Sequence, residues 1–345
     1  MDMKVFLTGH KGYVGRKLSQ ILLNANHKVV GCDTEFYPSN MSNEQQDKNI
    51  EHIVSLKKDI RDLTRNDLSG CDAVIHLAAL SNDPLGDISA TITNEINYEA
   101  TIQLGKLAKA ANVPKFIFSS SCSSYGANEE IVNENSPLVP LTAYAKSKVK
   151  SESELLKLKD DNFIPVILRS ATAYGISPNL RLDLVVNNLT CSALTTGKVE
   201  MLSDGTAWRP LLHVEDMANA FLLTLESPED KVSGEIFNVG SNNDNYIVKD
   251  IAHEVEEIVP NSIISFSKEA NKDHRSYQVN FDKIRDMLGF KTKWNLTDGI
   301  KDIYKVMKDE KMTKDSFEDK KFYRVKYINW LIEQNQIDNS LRFSP

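Results

Sequence analysis

Through the first half of the chain, short apolar runs of strand length alternate with stretches of helical period. Val5–Thr8, Lys28–Cys32 (closing at Asp33), Asp72–Ala78, Lys115–Ser119 and Ile164–Leu168 read as buried strands. Leu18, Ile21 and Leu22 mark a helix behind the first of them, and Ile88–Ala111 and Thr142–Lys159 read as two longer helices. Residues 34–52 are polar and without period, which predicts an inserted loop. The βαβ alternation predicts an α/β fold built on a doubly wound parallel sheet, a class that binds ligands at the carboxyl ends of its strands.

The second half is less regular. Leu182–Thr196 and Val214–Leu225 read as helices, and Gly234–Val239 as a strand that rejoins the sheet. Helical patterns follow at Val248–Ile258, Leu296–Lys308 and Phe322–Glu333, with a short β segment at Ile263–Phe266. The charged stretch Lys308–Lys321 reads as a solvated face or loop. No internal repeat, low-complexity tract or Pro/Gly linker separates the halves, so the second is expected to pack on the first.

Composition narrows the function classes. With 345 residues, 41% hydrophobic and 26% charged, the chain can bury a sizeable core. A net charge of −7 disfavours nucleic acid as the main partner. No apolar run is long enough for a membrane span, and the first strand starts too early for a leader, so a cytoplasmic protein is expected. Cys32, Cys71, Cys122 and Cys191 are far apart and share no ligand-like spacing with the histidines; free thiols and no metal site are expected.

Chemistry concentrates at the strand ends. The first strand runs into Gly9, Gly12 and Gly15, spaced G-x-x-G-x-x-G, and then into a helix. Glycine is required where the turn needs positive φ and where backbone must approach a pyrophosphate, and the helix start offers free N–H groups. Asp33, closing the second strand, can accept both ribose hydroxyls of an adenosine and would repel a 2′-phosphate. No Arg follows it, so the expected cofactor is NAD rather than NADP. Tyr144 and Lys148 form a Y-x-x-x-K, which on a helix puts phenol and ammonium on one face. A nearby cation lowers a phenol's pKa and makes it a usable acid/base. Tyr13/Lys17 and Tyr304/Lys308 share the spacing, but neither has the neighbourhood of Tyr144, which follows a hydroxyl-rich run, Ser119 to Ser124, at the end of an apolar strand.

Taken together, these motifs resemble the extended short-chain dehydrogenase/reductases, specifically the NAD-dependent nucleotide-sugar epimerases and dehydratases. The resemblance covers roughly Met3 to Lys308 and includes His76-Leu77-Ala78-Ala79, Asn97, Leu168-Arg169, Tyr174-Gly175 and Arg209 to Asp216. It implies a Rossmann-type domain at 1–170, with 211–240 returning to it, and a smaller α/β substrate-binding domain from 171–210 and 241–345. It also implies that Gly9, Gly12, Tyr13, Val14, Gly15, Asp33, Leu77, Ala78, Ala79 and Ser119 line the cofactor groove, that Asp59 and Ile60 flank the adenine, and that Asn97 braces the active site from beneath. Tyr144 would exchange a proton with a sugar hydroxyl, Ser121 would bond the oxygen being oxidised, and Lys148 would hold the nicotinamide ribose and depress the Tyr144 pKa.

On the substrate side, the resemblance implies that Arg209 and Arg275 clamp the diphosphate of a nucleotide sugar, a task suited to guanidinium forks. Ser123, Thr172, Arg181 and Asn188 are further candidate substrate contacts, whereas His213 reads as structural. Family dehydratases carry acids directly after the Ser121 position, where this chain has Cys122 and Ser123, and many 4-epimerases carry Asn where it has Thr172. Epimerisation through a transient ketone is the leading expectation, ahead of a net 4-ketoreductase or dehydrogenase and of a non-catalytic sensor. By the same resemblance a homodimer is expected through helices 88–111 and 142–159.

Overall fold

The computed structural model describes residues 2–42, 50–271 and 275–344. Part of the expected loop at 34–52 and the three residues before Arg275 therefore lie outside the described residues.

Seven parallel strands form the central sheet: β1 (Lys4–Thr8), β2 (Lys28–Asp33), β3 (Val54–Lys57), β4 (Ala73–His76), β5 (Lys115–Ser121), β6 (Ile164–Ser170) and β7 (Ile236–Val239). Their spatial order is β7-β6-β5-β4-β1-β2-β3. The order reverses between β1 and β4, and such a switch point opens a crevice at the carboxyl ends. Side chains alternate across β1: Val5 and Leu7 join Leu18, Leu22 and Phe221 on one face, and Phe6 joins Phe116, Phe118 and Leu104 on the other.

Two elements differ from expectation. β3 goes unseen in the sequence because only Leu56 of its four residues is even half-buried, leaving no apolar run. The helix expected at Ile88–Ala111 is capped by Ser89 and interrupted by a π-turn at Glu95–Glu99, between α-helical Ala90–Asn94 and Ala100–Ala110. The interruption puts Asn97 to use: its side chain bonds both backbone groups of Leu80, at 2.8 and 3.1 Å, while its carbonyl accepts from Thr101 and Ser151. Local π geometry frees such backbone groups for other partners.

The rest of the chain forms smaller sheets and a third core. Trp208–His213 pairs with Thr172–Tyr174 and Asn245–Ile247, and Lys198–Ser203 with Ile263–Asn271. Helices Val185–Thr196, Val248–Ile258 and Leu296–Asp309 pack there around Leu189, Ile251 and Ile300. One part of 241–345 departs from this grouping. Ile328 and Leu331 of helix Arg324–Glu333, with Ile337 and Leu341 after it, are buried in the same core cluster as Phe6 of the sheet and Ile60 and Leu63 beside it. The amphipathic pattern of that helix specified an apolar stripe but not which layer would receive it.

Helix Ala143–Lys157 starts at Thr142, whose hydroxyl accepts from the Ala145 amide. It is fixed to the sheet by a buried ion pair. Glu152 meets Arg169 of β6 at 2.6 Å, both side chains only 3% exposed. Ser120 donates to the same carboxylate, and Arg169 reaches Tyr125, which bonds Asn238 of β7. Removing one member of such a pair strands a buried charge. Glu152→Ala should therefore lower stability by about 3–5 kcal/mol, and the double change Glu152→Met/Arg169→Met should cost less than either single one. Denaturant unfolding of the three variants checks this.

Candidate active site

A cleft of about 1030 Å³ runs along the carboxyl ends of the strands, and every residue expected to bind cofactor or substrate lines it. Its floor is the glycine turn. Gly9 has φ +72°, and a Cβ there would stand 2.9 Å from the Ala78 amide nitrogen; a Cβ on Gly15 would stand 2.0 Å from the Gly9 carbonyl oxygen. Both positions exclude any larger residue. The turn delivers the chain into helix Tyr13–Asn24, whose N-cap is Gly12, with no side chain bonding the first amides. The anion-seeking end of the helix is thus left to the cleft. Beneath it, buried His76 bridges Thr8 and Thr101 at 2.6 and 2.8 Å, and the Thr8 hydroxyl accepts from the Ala78 amide. Burial lowers the His76 pKa to about 3, so it serves as a neutral tie.

Asp33 accepts from the amides of Lys11 and Glu35 at 3.0 and 2.8 Å, which aims its carboxylate into the cleft mouth. Lys11 is paired with Glu35. Asp59 is held by Arg61 at 2.7 Å. Tyr13 is buried and donates to the Gly175 carbonyl at 2.6 Å, so its hydroxyl ties the two halves of the molecule. A glycine turn without a capping side chain, an open helix start and an oriented carboxylate together fit a dinucleotide.

At the end of β5 the second cluster assembles. Tyr144, Lys148 and Glu152 recur every four residues and share one helix face. Tyr144 stands near enough to Ser121 for that hydroxyl to draw its pKa down, and Ser121 accepts from the Ser123 amide at 3.1 Å. The Ser123 hydroxyl is buried with no partner among the described residues, a group that a ligand could satisfy. Lys148 donates to the Ser119 carbonyl at 2.7 Å and lies 5.6 Å from the centre of the Tyr144 ring. Burial lowers the Lys148 pKa to about 7, against the opposing pull of Glu152. The Tyr144 phenol is raised well above its ordinary value, first by burial and then by Asp83; the Ser121 hydrogen bond and Arg181 pull the other way. In the protein alone, burial and Asp83 thus outweigh the groups that favour the phenolate.

Asp83 escaped the sequence reading. It lies in a short helix, Asp83–Gly86, that touches the Tyr144 backbone: a Cβ on Gly86 would stand 2.9 Å from that of Tyr144. Asp83 accepts from Thr142 and pairs with Arg275 at 2.5 Å. The only hint in the sequence is Asn82-Asp83-Pro84, a cap followed by proline at a helix start. Arg209 and Arg275 do come together, with the Arg209 guanidinium donating to the Arg275 carbonyl. Arg181 is committed to Asp183 at 2.8 Å and to Ser81, while Asn188 donates to the Leu182 carbonyl. His213 caps helix Val214–Glu226 through Nδ1 and stacks on Trp294.

Comparisons with known proteins agree with this architecture. The model of the NAD dependent epimerase/dehydratase family matches residues 5–240. A UDP-glucose 4-epimerase of Corynebacterium glutamicum is 29% identical over 76% of this chain and 82% of its own. A dTDP-D-glucose 4,6-dehydratase of Mus musculus is 26% identical over 86% of each. Among solved structures, a UDP-glucuronic acid 4-epimerase from Bacillus cereus, in complex with UDP-glucuronic acid and NAD, superimposes with a TM-score of 0.75 at 25% identity, over 89% of this chain and 99% of its own.

The Lys148 environment has a measurable consequence. Between about pH 7 and the ordinary lysine value the unfolded chain holds a proton here that the folded chain has shed, so stability contributed at this site rises with pH. The stability of the wild type relative to Lys148→Met should accordingly increase when both are unfolded by denaturant at about pH 7 and then at about pH 9.5.

Proposed function

The chain belongs to the NAD dependent epimerase/dehydratase family, and from that premise we propose that it epimerises a nucleoside-diphosphate sugar through a transient ketone. The observation carrying this reading is the convergence of Ser121, Tyr144 and Lys148 at the end of β5, in the same cleft as the glycine turn. Tyr144 takes the proton of a ring hydroxyl and later returns it, and Ser121 holds the oxygen that becomes the ketone. Bound NAD supplies the acceptor and later donor of the hydride, together with a positive charge near the phenol. Gly9 to Gly15 and Asp33 hold its diphosphate and adenosine ribose, Asp59 and Ile60 flank its adenine, and Lys148 holds the nicotinamide ribose. Arg209 and Arg275 take the sugar's diphosphate, in exchange for the contact between Arg275 and Asp83.

Two features favour epimerisation over elimination of water. Cys122, where family dehydratases carry an acid, is buried with its thiol donating to the Arg169 carbonyl, and burial raises its pKa further. Ser123 beside it carries no acid. Retention of the cofactor separates the epimerase from a net ketoreductase or dehydrogenase built on the same residues. We also propose a homodimer through 88–111 and 142–159, for which light scattering should give twice 38.8 kDa.

Incubation with UDP-glucose or UDP-glucuronic acid should yield a C4 epimer by NMR with no net change in nicotinamide absorbance. Absorbance changing in step with product would instead establish net redox. Tyr144→Phe should lower turnover by about 10²–10⁴-fold while leaving NAD content unchanged. Turnover that survives the substitution would remove Tyr144 from the mechanism.

A further inference from the structure

The part of the chain following residue 318 lies beyond both the family match at 5–240 and the resemblance that ends near Lys308. It nevertheless reaches the cofactor side of the cleft. Arg324, the first residue of helix Arg324–Glu333, is 3% exposed and lines the cleft. Its Nη2 donates to Asn179 Oδ1 at 3.0 Å, and Asn179 donates in turn to the Lys11 carbonyl inside the glycine turn, at 2.8 Å. Its guanidinium carbon lies 3.9 Å from the centre of the Tyr37 ring. Arg324 Nη1 and the Tyr37 hydroxyl are both buried and have no hydrogen-bond partner among the described residues.

A buried guanidinium is retained at a cost unless an anion meets it. The nearby carboxylates are occupied. Asp183 receives Arg181 and Asn82, and Asp33 receives the Lys11 and Glu35 amides. Burial, then the like charge of Arg181, lowers the Arg324 pKa to about 10. Arg324 Nη1 is thus left without an anionic partner among the described residues, at a point one residue removed from the glycine turn.

We propose that Arg324, carried in by the C-terminal arm, is a diphosphate-binding residue for the dinucleotide, with Nη1 and the Tyr37 hydroxyl donating to phosphate oxygens. The arm is locked at its far end as well. Arg61 donates to the Ser340 and Leu341 carbonyls at 2.9 and 3.1 Å, Arg342 pairs with Asp62, and Phe343 packs on Phe36 with ring centres 5.2 Å apart. These contacts fall on the wall formed by Asp59 and Arg61 and couple cofactor binding to docking of the arm. The inference rests on the family's use of NAD and not on epimerisation, so binding alone tests it.

Calorimetric titration of the full-length chain, stripped of nucleotide, with NAD, ADP, adenosine and UDP provides the test. Arg324→Gln should weaken NAD and ADP by about tenfold to a hundredfold, the scale of charge-assisted hydrogen bonds, and leave adenosine unchanged. Arg324→Lys should recover part of the loss. The empty Arg324→Gln chain should melt no lower than the empty wild type, because a buried cation short of an anion has been removed. Unchanged NAD affinity, equal losses for adenosine and ADP, or a lower melting temperature in step with the affinity loss would each overturn the proposal. So would a loss confined to UDP, which would place Arg324 at the sugar nucleotide instead.

Discussion

The buried pair of Glu152 and Arg169 is the constraint on which the reacting groups depend. Glu152 sits two turns beyond Tyr144 on the same face, and its carboxylate takes Arg169 from β6 and Ser120 from β5. A helix tethered to two adjacent strands in this way cannot slide or rotate without leaving a charge unpaired at low dielectric. The same tether brings Lys148 to the Ser119 carbonyl and the Tyr144 phenol to Ser121. The hydroxyl run of β5 therefore works at several levels: Ser119 by its backbone, Ser120 on the structural pair, Ser121 in the cleft, and Ser123 with a hydroxyl still to be satisfied.

Electrostatics in the cleft are incomplete in the protein alone. Tyr144 is pushed up by burial and by Asp83, and Lys148 is pushed down by burial to about 7. The two shifts share one cause: desolvation disfavours the charged form of both partners, so neither can ionise the other. In the protein alone, burial and Asp83 outweigh the pull of Ser121 and Arg181 on the phenol. Loss of the contact between Arg275 and Asp83 to a substrate diphosphate would add a negative charge near the phenol rather than remove one. The balance then lies with whatever binds on the opposite side.

Much of this was legible in the sequence, for identifiable reasons. Gly9, Gly12 and Gly15, the strand-end Asp33, and Tyr144 with Lys148 are all local patterns, in which spacing along the chain fixes spacing in space. The central strands were legible because burial on both faces leaves continuous apolar runs, as in Ala73–His76. β3 was not, since an edge strand half in water carries no such run. Glu152 stood one helical repeat beyond Lys148, yet its partner lies seventeen positions on, in another strand. Asp83 and Arg275 meet from separate stretches and Arg324 reaches the same cleft from a third, an outcome of tertiary packing that no window of sequence contains.

The distribution of cations along the cleft bears on what it can hold. Arg209 and Arg275 lie together on one flank, beside Asp83 and Tyr277, while Arg181 and Arg324 lie on the other with Tyr13, Tyr37 and the glycine turn. Tyr144, with Ser121, stands in the same cleft and feels both Asp83 and Arg181. Two separated guanidinium pairs with a proton-transfer group between them suit two phosphorylated ligands meeting head to head. A single elongated anion would leave one pair unsatisfied or draw its phosphates across the phenol, where Asp83 repels them. The flank holding Arg324 is further tied to the C-terminal arm, whose apolar side chains are buried in the sheet core, so opening that flank means exposing Ile328 and Leu331. The other flank includes Arg275, itself 36% exposed, and the cleft is also lined by Glu200 to Ser203 of a strand whose residues alternate between exposed and buried. One flank is thereby enclosed by the core of the fold and the other by its rim.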